Sequence, residues 1–341
     1  MDNRKKNILY TVILFASMFA VYLYRKNQDT PIFIEGSTMA TTYHVTYFDE
    51  QNRNFKSAID SLLVLVNQSI NTYDSASEVS RFNKSEEGIA VELPYLMPIL
   101  KKSEEVFKYS NGAFDPTVMP LVNAWGFGPG KVFKMDSLRV DSLKKFVGFE
   151  KIELTQDRVQ KLDPRTQLDF GGIGQGFGAD VITDFLKSKG IVNMLVELGG
   201  EGMACGINLK TGKPWEIGIL DPNSTRENLF FKAYASLSNK SFTTSGNYFN
   251  YKEVDGRKYS HTIDPVTGYP VQRKLLSASV FATDCTTADA WATAFMVMGH
   301  ERAVELLKQQ RGLEAVLIFS TEDGKTETYV TEGIAPFIEI K

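Results

Sequence analysis

The spacing of apolar side chains in the first half of the chain predicts a strand followed by two helices. Residues 41–48 alternate between apolar and polar side chains and contain β-branched residues, which predicts a strand. Residues 55–70 and 93–109 repeat apolar side chains every three or four positions, which predicts two amphipathic helices. Gly112 follows the second helix and is expected to end it in a left-handed conformation.

The second half of the chain mixes strands and helices. A strand near residues 168–170 is expected to run into a glycine cluster and then into a helix over residues 175–189. Because strands occur both singly between helices and in adjacent runs, the pattern predicts an α+β or mixed α/β fold. Further strands are predicted at residues 192–198, 215–220, 229–237, 276–283, 316–319 and 327–330, with helices at 286–299 and 301–310.

Residues 115–131 show neither the helical nor the strand spacing of apolar side chains, and they are rich in proline, glycine and aromatic residues. An irregular segment of this length inside a compact domain usually serves a function.

The amino terminus carries an apolar stretch over residues 8–24, with Lys6 before it and Arg25 after it. Its length, about 17 residues, is near the minimum for a helix that spans a membrane. We interpret it as an uncleaved signal anchor, since large residues fill its end; a cleaved signal peptide is the alternative. This interpretation divides the chain into an anchor and linker, residues 1–30, and a body, residues 31–341. It places the anchor in the bacterial inner membrane and the body in the periplasm.

Composition narrows the possible functions of the 341-residue chain. It is 43% hydrophobic and 23% charged with a net charge of −3, and its basic residues are scattered, so no nucleic-acid partner is expected. Two cysteines far apart in sequence, Cys205 and Cys285, are interpreted as buried thiols rather than as a disulfide.

The glycine cluster lies within residues 168–180 and contains the series Gly174, Gly176 and Ala179, which fits a dinucleotide-binding fingerprint. Glycines allow a ligand to approach the backbone, and the start of a helix favours anions. A tight structural crossover is the alternative interpretation of so many glycines.

Two polar residues share one face of the helix predicted at residues 286–299. Asp289 and Thr293 are four positions apart, and a carboxylate beside a hydroxyl suits a hard cation such as Mg²⁺. Local capping or a buried hydrogen bond would give the same spacing. The apolar stripe on this helix, formed by Trp291, Phe295 and Met298, is interpreted as core.

Three histidines limit any histidine chemistry to His44, His261 and His300. His261 precedes Asp264 by three positions and is the candidate general base for a hydroxyl group. A structural histidine beside a turn is the alternative. His44, on a predicted strand, and His300, at a helix start, are weaker candidates for a catalytic role than His261.

Taken together, several segments resemble the ApbE family of FAD:protein FMN transferases. They occur in the family's order and cover nearly all of the chain after the apolar stretch. The matching segments are residues 36–43, 73–83, 112–128, 168–180, 197–206, 243–247, 260–270 and 286–299.

The resemblance implies a T-fold-related α+β architecture with mixed sheets and FAD in a cleft between two lobes. It implies that the body is the catalytic domain and that His261 is the base, with Asp264 orienting it. Gln175 stands where the family often has lysine, which is expected to weaken charge contact with the cofactor. The flavin and nucleotide contacts implied are Met39, Tyr73, Ala113, Phe114, Asp115, Asp169, Gln175, Thr262 and Ile263, and the Mg²⁺ contacts are Gly172, Asp289, Ala292 and Thr293.

The activity implied is Mg²⁺-dependent transfer of the FMN half of FAD to a threonine or serine hydroxyl, with release of AMP. The expected acceptor is a subunit of an extracytoplasmic redox protein that carries a short flavinylation motif. Two alternatives stay open at this point: a pyrophosphatase that cleaves FAD with water, and a flavin-binding protein without catalysis. A redox flavoenzyme is disfavoured because no electron-relay motif is visible.

Overall fold

The computed structural model of the protein describes residues 3–28, 30–225, 227–246, 251–254 and 257–341. Within these residues it contains helices α1 (Asn3–Gln28), α2 (Lys56–Ile70), α3 (Glu78–Lys84), α4 (Leu96–Tyr109), α5 (Met119–Ala124), α6 (Ser137–Lys144), α7 (Gly174–Ser188), α8 (Cys285–Met298) and α9 (His300–Leu307). The strands are β1 (Ile32–Thr38), β2 (Thr41–Tyr47), β3 (Gly88–Ala90), β4 (Ile152–Leu154), β5 (Arg158–Lys161), β6 (Met194–Leu198), β7 (Glu201–Cys205), β8 (Trp215–Leu220), β9 (Phe231–Leu237), β10 (Lys240–Gly246), β11 (Tyr251–Val254), β12 (Arg257–Ser260), β13 (Leu275–Phe281), β14 (Glu314–Ser320), β15 (Thr326–Val330) and β16 (Ile338–Ile340).

A central sheet of eight strands organises the molecule, in the order β1-β2-β6-β7-β10-β13-β14-β15. Every neighbouring pair in it is antiparallel. Smaller sheets have the orders β16-β9-β8, β3-β5-β4 and β11-β12. Helices and antiparallel sheets therefore occupy separate regions, which confirms the predicted α+β class.

Apolar side chains cover both faces of the central sheet. On one face α7 contacts β6 and β7, while α8 contacts β10 and β13. On the other face Trp215 and Ile219 of β8 join a core with Phe281 of β13 and Ile318 of β14. The sheet thus lies between a helical layer and the small β16-β9-β8 sheet, and the predicted core residues Trp291, Phe295 and Met298 are all buried.

Helices α7 and α8 are joined by polar groups as well as by apolar contacts. The carboxylate of Asp180, on α7, accepts hydrogen bonds from the backbone N–H groups of Cys285 at 2.9 Å and of Thr286 at 2.7 Å. These are N–H groups at the start of a helix, which have no partner within it. Burial raises the pKa of Asp180 to about 6. Asp180 therefore fixes where α8 begins relative to α7.

The predicted helix over residues 93–109 begins later than expected, at Leu96. A carboxylate oxygen of Glu78 accepts hydrogen bonds from the backbone N–H groups of Glu92 at 2.7 Å and of Leu93 at 3.0 Å. Pro94 further disfavours a helical conformation at Leu93. At its other end the helix stops as predicted, with φ of 77° at Gly112.

The strand predicted near residues 168–170 is wrong, because in the described chain the last strand before the glycine cluster, β5, ends at Lys161 and none leads directly into the cluster. The backbone there bonds to other groups: Leu168 donates to the side-chain oxygen of Asn83 at 2.7 Å, and Asp169 donates to the carbonyl of Pro116 at 2.7 Å. The segment is therefore a crossover held by single contacts, and the dinucleotide fingerprint lacks the strand that it requires.

The amino-terminal apolar stretch lies in α1, where large apolar side chains are exposed, Phe15 by 66% and Phe19 by 61%. Among the residues that the structure describes, no helix combines the length and the apolar character needed to cross a membrane. The spanning anchor predicted over residues 8–24 is not confirmed, and the division of the chain after residue 30 stays a prediction. Cys205 and Cys285 are buried free thiols, as expected.

Candidate functional site

A cleft of about 1140 Å³ opens between the helical layer, the small β8–β9 hairpin and the irregular segment around Asp115. This volume exceeds the range typical for small-ligand pockets, so a ligand as large as a dinucleotide fits. The site residues predicted from the sequence that line the cleft are Tyr73, Ala113, Phe114, Asp115, Asp169, Gly172, Gln175, His261, Thr262, Ile263, Asp289 and Thr293.

Two oxygen-bearing groups meet where α8 passes the glycine cluster, and a third lines the same cleft. The hydroxyl of Thr293 lies 3.3 Å from the carbonyl oxygen of Gly172. A Cβ atom at Gly172 would lie 2.7 Å from that hydroxyl oxygen, so the position has room only for glycine. With the carboxylate of Asp289 in the same cleft wall, these groups offer the oxygen ligands that hard cations prefer.

Asp289 is buried, and one of its carboxylate oxygens accepts a hydrogen bond of 2.9 Å from the backbone N–H of Gly176. Burial raises its pKa to about 7, against the lowering effect of that hydrogen bond. Asp289 and Thr293 make hydrogen bonds to the glycine cluster, as the hydrogen-bond interpretation of their spacing expects, and both also line the cleft. The metal interpretation stays a prediction. In the part of the chain that is described, no three His, Cys, Asp or Glu side chains form a metal cluster.

The described lining of the cleft is acidic. It contains the carboxyl groups of Asp115, Asp169, Glu201 and Asp289, and none of its described residues is lysine or arginine. Any of these carboxyl groups that is ionised would repel a pyrophosphate group placed here, and no lysine or arginine of the described lining offsets that repulsion. A cation bound beside such a group would offset this repulsion.

Tyr73 offers a ring to the cleft, since its side chain is 70% exposed while its hydroxyl donates a 3.1 Å hydrogen bond to the carbonyl of Phe127. Burial, and then the charge of Asp169, raise the pKa of Tyr73. Asp169 accepts a 3.3 Å hydrogen bond from the N–H of Gly171, and burial raises its pKa. The arrangement suits a flat, partly exposed ring stacked near a hydrogen-bonding carboxyl group.

Asp115 is buried, and one of its carboxylate oxygens accepts hydrogen bonds from the N–H of Thr117 at 2.8 Å and from its hydroxyl at 2.6 Å. Burial raises the pKa of Asp115 to about 7. The cleft wall thus contains a carboxyl group that can hold a proton near neutral pH.

Gln175 lies in the first turn of α7 and extends toward the turn between β6 and β7. A Cβ atom at Gly199 would lie 2.8 Å from its amide nitrogen, so the side chain rests against that glycine. The position therefore supplies an uncharged amide to the cleft, as the departure from the family's usual lysine led us to expect.

His261 is exposed and lines the cleft, with Thr262 and the buried Ile263 beside it. Asp264 lies outside the lining. Its carboxylate accepts hydrogen bonds from the N–H groups of Val266 at 2.9 Å and Thr267 at 3.2 Å. Asp264 therefore stabilises the turn that follows His261, and its predicted role in orienting His261 stays a prediction.

Two further predicted residues lie outside the cleft lining. Met39, with φ of 49°, and Ala40, with φ of 58°, form the turn between β1 and β2, and the Met39 side chain contacts α7 near Gly178. Ala40 lines the cleft in its place.

Ala292 is fully buried in the middle of α8, where carbonyl oxygens accept bonds from the next helical turn. The metal contact at the carbonyl oxygen of Ala292 stays a prediction.

Sequence reasoning missed other residues of the lining. Glu201 is buried at the start of β7, and burial, followed by the charge of Asp289, raises its pKa well above the ordinary value. The glycine pair before Glu201 was the available signal. Thr244 and Leu229 also line the cleft, whereas Asn247, from the matching segment 243–247, lies outside the described residues.

Comparison with known sequences gives one family and several similar proteins. A model of the ApbE family matches residues 39–317. The chain is 35% identical to the FAD:protein FMN transferase of Vibrio cholerae over 316 residues, covering 90% of this chain and 92% of the relative. It is 33% identical to the protein of the same name from Haemophilus influenzae, covering 97% of each chain.

Solved structures give the same result. The flavin transferase ApbE from Vibrio cholerae superimposes with a TM-score of 0.81 at 34% identity, over 90% of this chain and 99% of that one. The flavinyl transferase ApbE from Pseudomonas stutzeri superimposes with a TM-score of 0.79 at 31% identity, over 90% and 96% of the two chains.

We predict that Asp115 makes the stability of the protein fall as pH rises toward neutrality. Its folded pKa of about 7 lies above the ordinary value of 3.8, so between these values only the folded protein holds the proton. The contribution of Asp115 to the free energy of unfolding therefore decreases by at most about 4 kcal/mol as pH rises through this window, and it is constant at higher pH.

Asp115→Asn keeps an oxygen for Thr117 and removes the titration, so it should gain stability relative to the wild type as pH rises. Urea unfolding of both proteins across the window measures the difference. Asp157→Asn, at an exposed turn, is the control and should show no such trend. Parallel pH profiles for wild type and Asp115→Asn would contradict the assignment.

Proposed function

The chain belongs to the ApbE family, and we propose that it transfers the FMN half of FAD to a threonine or serine hydroxyl of an acceptor protein, with Mg²⁺ bound in the cleft. The observation that carries the metal requirement is the acidic lining, in which no described residue is lysine or arginine. The diphosphate of FAD binds there only if a cation balances its charge.

The groups available for Mg²⁺ are the carboxylate of Asp289, the hydroxyl of Thr293 and the carbonyl oxygen of Gly172. All three are oxygen donors, and the absence of a side chain at Gly172 leaves the space beside Thr293 open. When bound, Mg²⁺ neutralises and orients the diphosphate of FAD.

The protein's own residues supply the rest of the reaction. Tyr73 and Asp169 hold the flavin end, while the glycines at the start of α7 let the diphosphate approach the backbone. The acceptor oxygen attacks the FMN phosphorus, the bond from that phosphorus to the bridging oxygen breaks, and AMP leaves with that oxygen. His261 accepts the hydroxyl proton, a role its exposed position at the cleft allows.

Two other functions use the same cleft. With water in place of the acceptor hydroxyl, the site would hydrolyse FAD to FMN and AMP. A flavin-binding protein without catalysis would need the cleft but not His261. AMP release that depends on the acceptor favours transfer over both.

We also propose that α1 attaches the protein to the bacterial inner membrane, with the body on the periplasmic side. The support is the exposed apolar surface of α1 and the basic residues that flank the stretch in the sequence. The expected acceptor is a redox-protein subunit on the same side of the membrane that carries a threonine or serine flavinylation motif.

We predict that Asp289→Asn lowers the FMN transfer rate by at least about 100-fold. Loss of a residue that only supports a metal ligand lowers activity by up to about that factor, and loss of the ligand itself should lower it at least as much. The asparagine still accepts the Gly176 hydrogen bond, so the fold should be kept. Transfer is measured at limiting Mg²⁺, with Asp184→Asn, an exposed position on α7, as the control. A wild-type rate for Asp289→Asn would rule out this metal site.

We predict that His261→Ala lowers the transfer rate at saturating FAD by about 10²- to 10⁴-fold, the usual effect of losing a general base. Affinity for FAD should change little. The control is His44→Ala, whose imidazole is more than half exposed and pairs with Glu197. If His261→Ala instead weakens FAD binding and keeps the full rate at saturation, the proton acceptor is another group.

The proposed location predicts that protease added to spheroplasts digests the body while cytoplasmic markers stay intact. It also predicts that the protein sediments with membranes until detergent is added. A body that resists protease until the inner membrane is broken would contradict the periplasmic location.

A further inference from the structure

The side chain of Glu201 is held in the cleft by the turn that precedes it. Gly199 and Gly200 connect β6 to β7 with φ values of 68° and 105°, a two-residue turn that glycine adopts without strain. Gln175 rests against Gly199, so the turn has little freedom to move. Glu201 follows at once and lines the cleft.

One carboxylate oxygen of Glu201 is buried without a partner. The residue is only 8% exposed, and its Oε2 atom has no hydrogen bond. Glu197, on the other side of the turn, differs: it accepts a hydrogen bond from Gly200 and contacts Nδ1 of His44 at 2.7 Å. A buried carboxylate oxygen with no partner is costly, so a bound group is expected to satisfy it.

The surroundings of Glu201 favour a cation as that group. The carboxylates of Asp289 and Glu197 both repel a charge on Glu201. No lysine or arginine is present among the described residues that line the cleft. A neutral donor would satisfy one lone pair but leave the repulsion between Glu201 and Asp289, whereas a divalent cation removes both costs.

We propose that Glu201 is a further ligand of a divalent cation in this cleft, acting together with Asp289. The inference rests on the proposed metal site and adds a second carboxylate to its oxygen donors, a set suited to a hard cation such as Mg²⁺ or Mn²⁺. The remaining positions are left for water and for phosphate oxygens of the substrate.

The test measures cation binding without substrate. Mn²⁺ is titrated into the full-length protein in the absence of FAD, and free Mn²⁺ is followed by its paramagnetic resonance signal. Glu201→Gln should weaken Mn²⁺ binding by at least about tenfold, the scale for losing a group that supports a metal. Without metal, the same variant should melt at a higher temperature than the wild type, because it lacks the unpaired charge.

Glu197→Gln is the matched control, since it removes a partnered carboxylate from the same hairpin and should bind Mn²⁺ nearly as the wild type does. Asp289→Asn separates the two proposals. If it loses Mn²⁺ while Glu201→Gln binds normally, the Glu201 inference fails and the metal site stands.

If Asp289→Asn also binds Mn²⁺ normally, the metal site itself fails. Should Glu201→Gln not fold, Glu201→Ala carries the same expectation. An effect of Glu201→Gln on FAD affinity alone, with Mn²⁺ affinity unchanged, overturns the inference in favour of a direct contact with the substrate.

Discussion

The site depends on the close approach of the glycine cluster to helix α8. A Cβ atom at Gly176 would lie 2.5 Å from the carbonyl oxygen of Cys285, and one at Gly172 would lie 2.7 Å from the hydroxyl of Thr293. Because neither position has a side chain, the start of α7 reaches α8 and its N–H at Gly176 bonds to Asp289. Asp180 then fixes the start of α8 from the α7 side, which places the oxygen donors along one wall of the cleft.

This packing also creates an electrostatic constraint. It buries Asp289 close to Glu201, in a cleft whose described lining contains no lysine or arginine. Carboxyl groups gathered in this way destabilise one another unless they are protonated or bind a cation. Under the proposed function, a metal bound together with the anionic dinucleotide would offset this repulsion. Gln175 fits this pattern, because the position supplies an amide where the family often has a positive charge.

The sequence was sufficient to predict the helices whose apolar spacing is regular. It also predicted that Asp289 and Thr293 share one helical face, and both line the cleft. It was not sufficient where single long-range contacts decide the structure. The backbone N–H of Leu168 donates to the side chain of Asn83 instead of to a neighbouring strand, and no local sequence pattern predicts that hydrogen bond. Glu201 was missed because its importance comes from burial beside Asp289, which lies far away in sequence.

The stoichiometry of the reaction distinguishes FMN transfer from hydrolysis of FAD. The protein is incubated with FAD, Mg²⁺ and a purified acceptor subunit, and the intact mass of the acceptor is followed together with the release of AMP. We expect that the acceptor gains FMN on a threonine or serine, that one AMP appears for each FMN attached, and that chelation of the metal stops both. Release of AMP with free FMN and an unmodified acceptor would contradict this expectation.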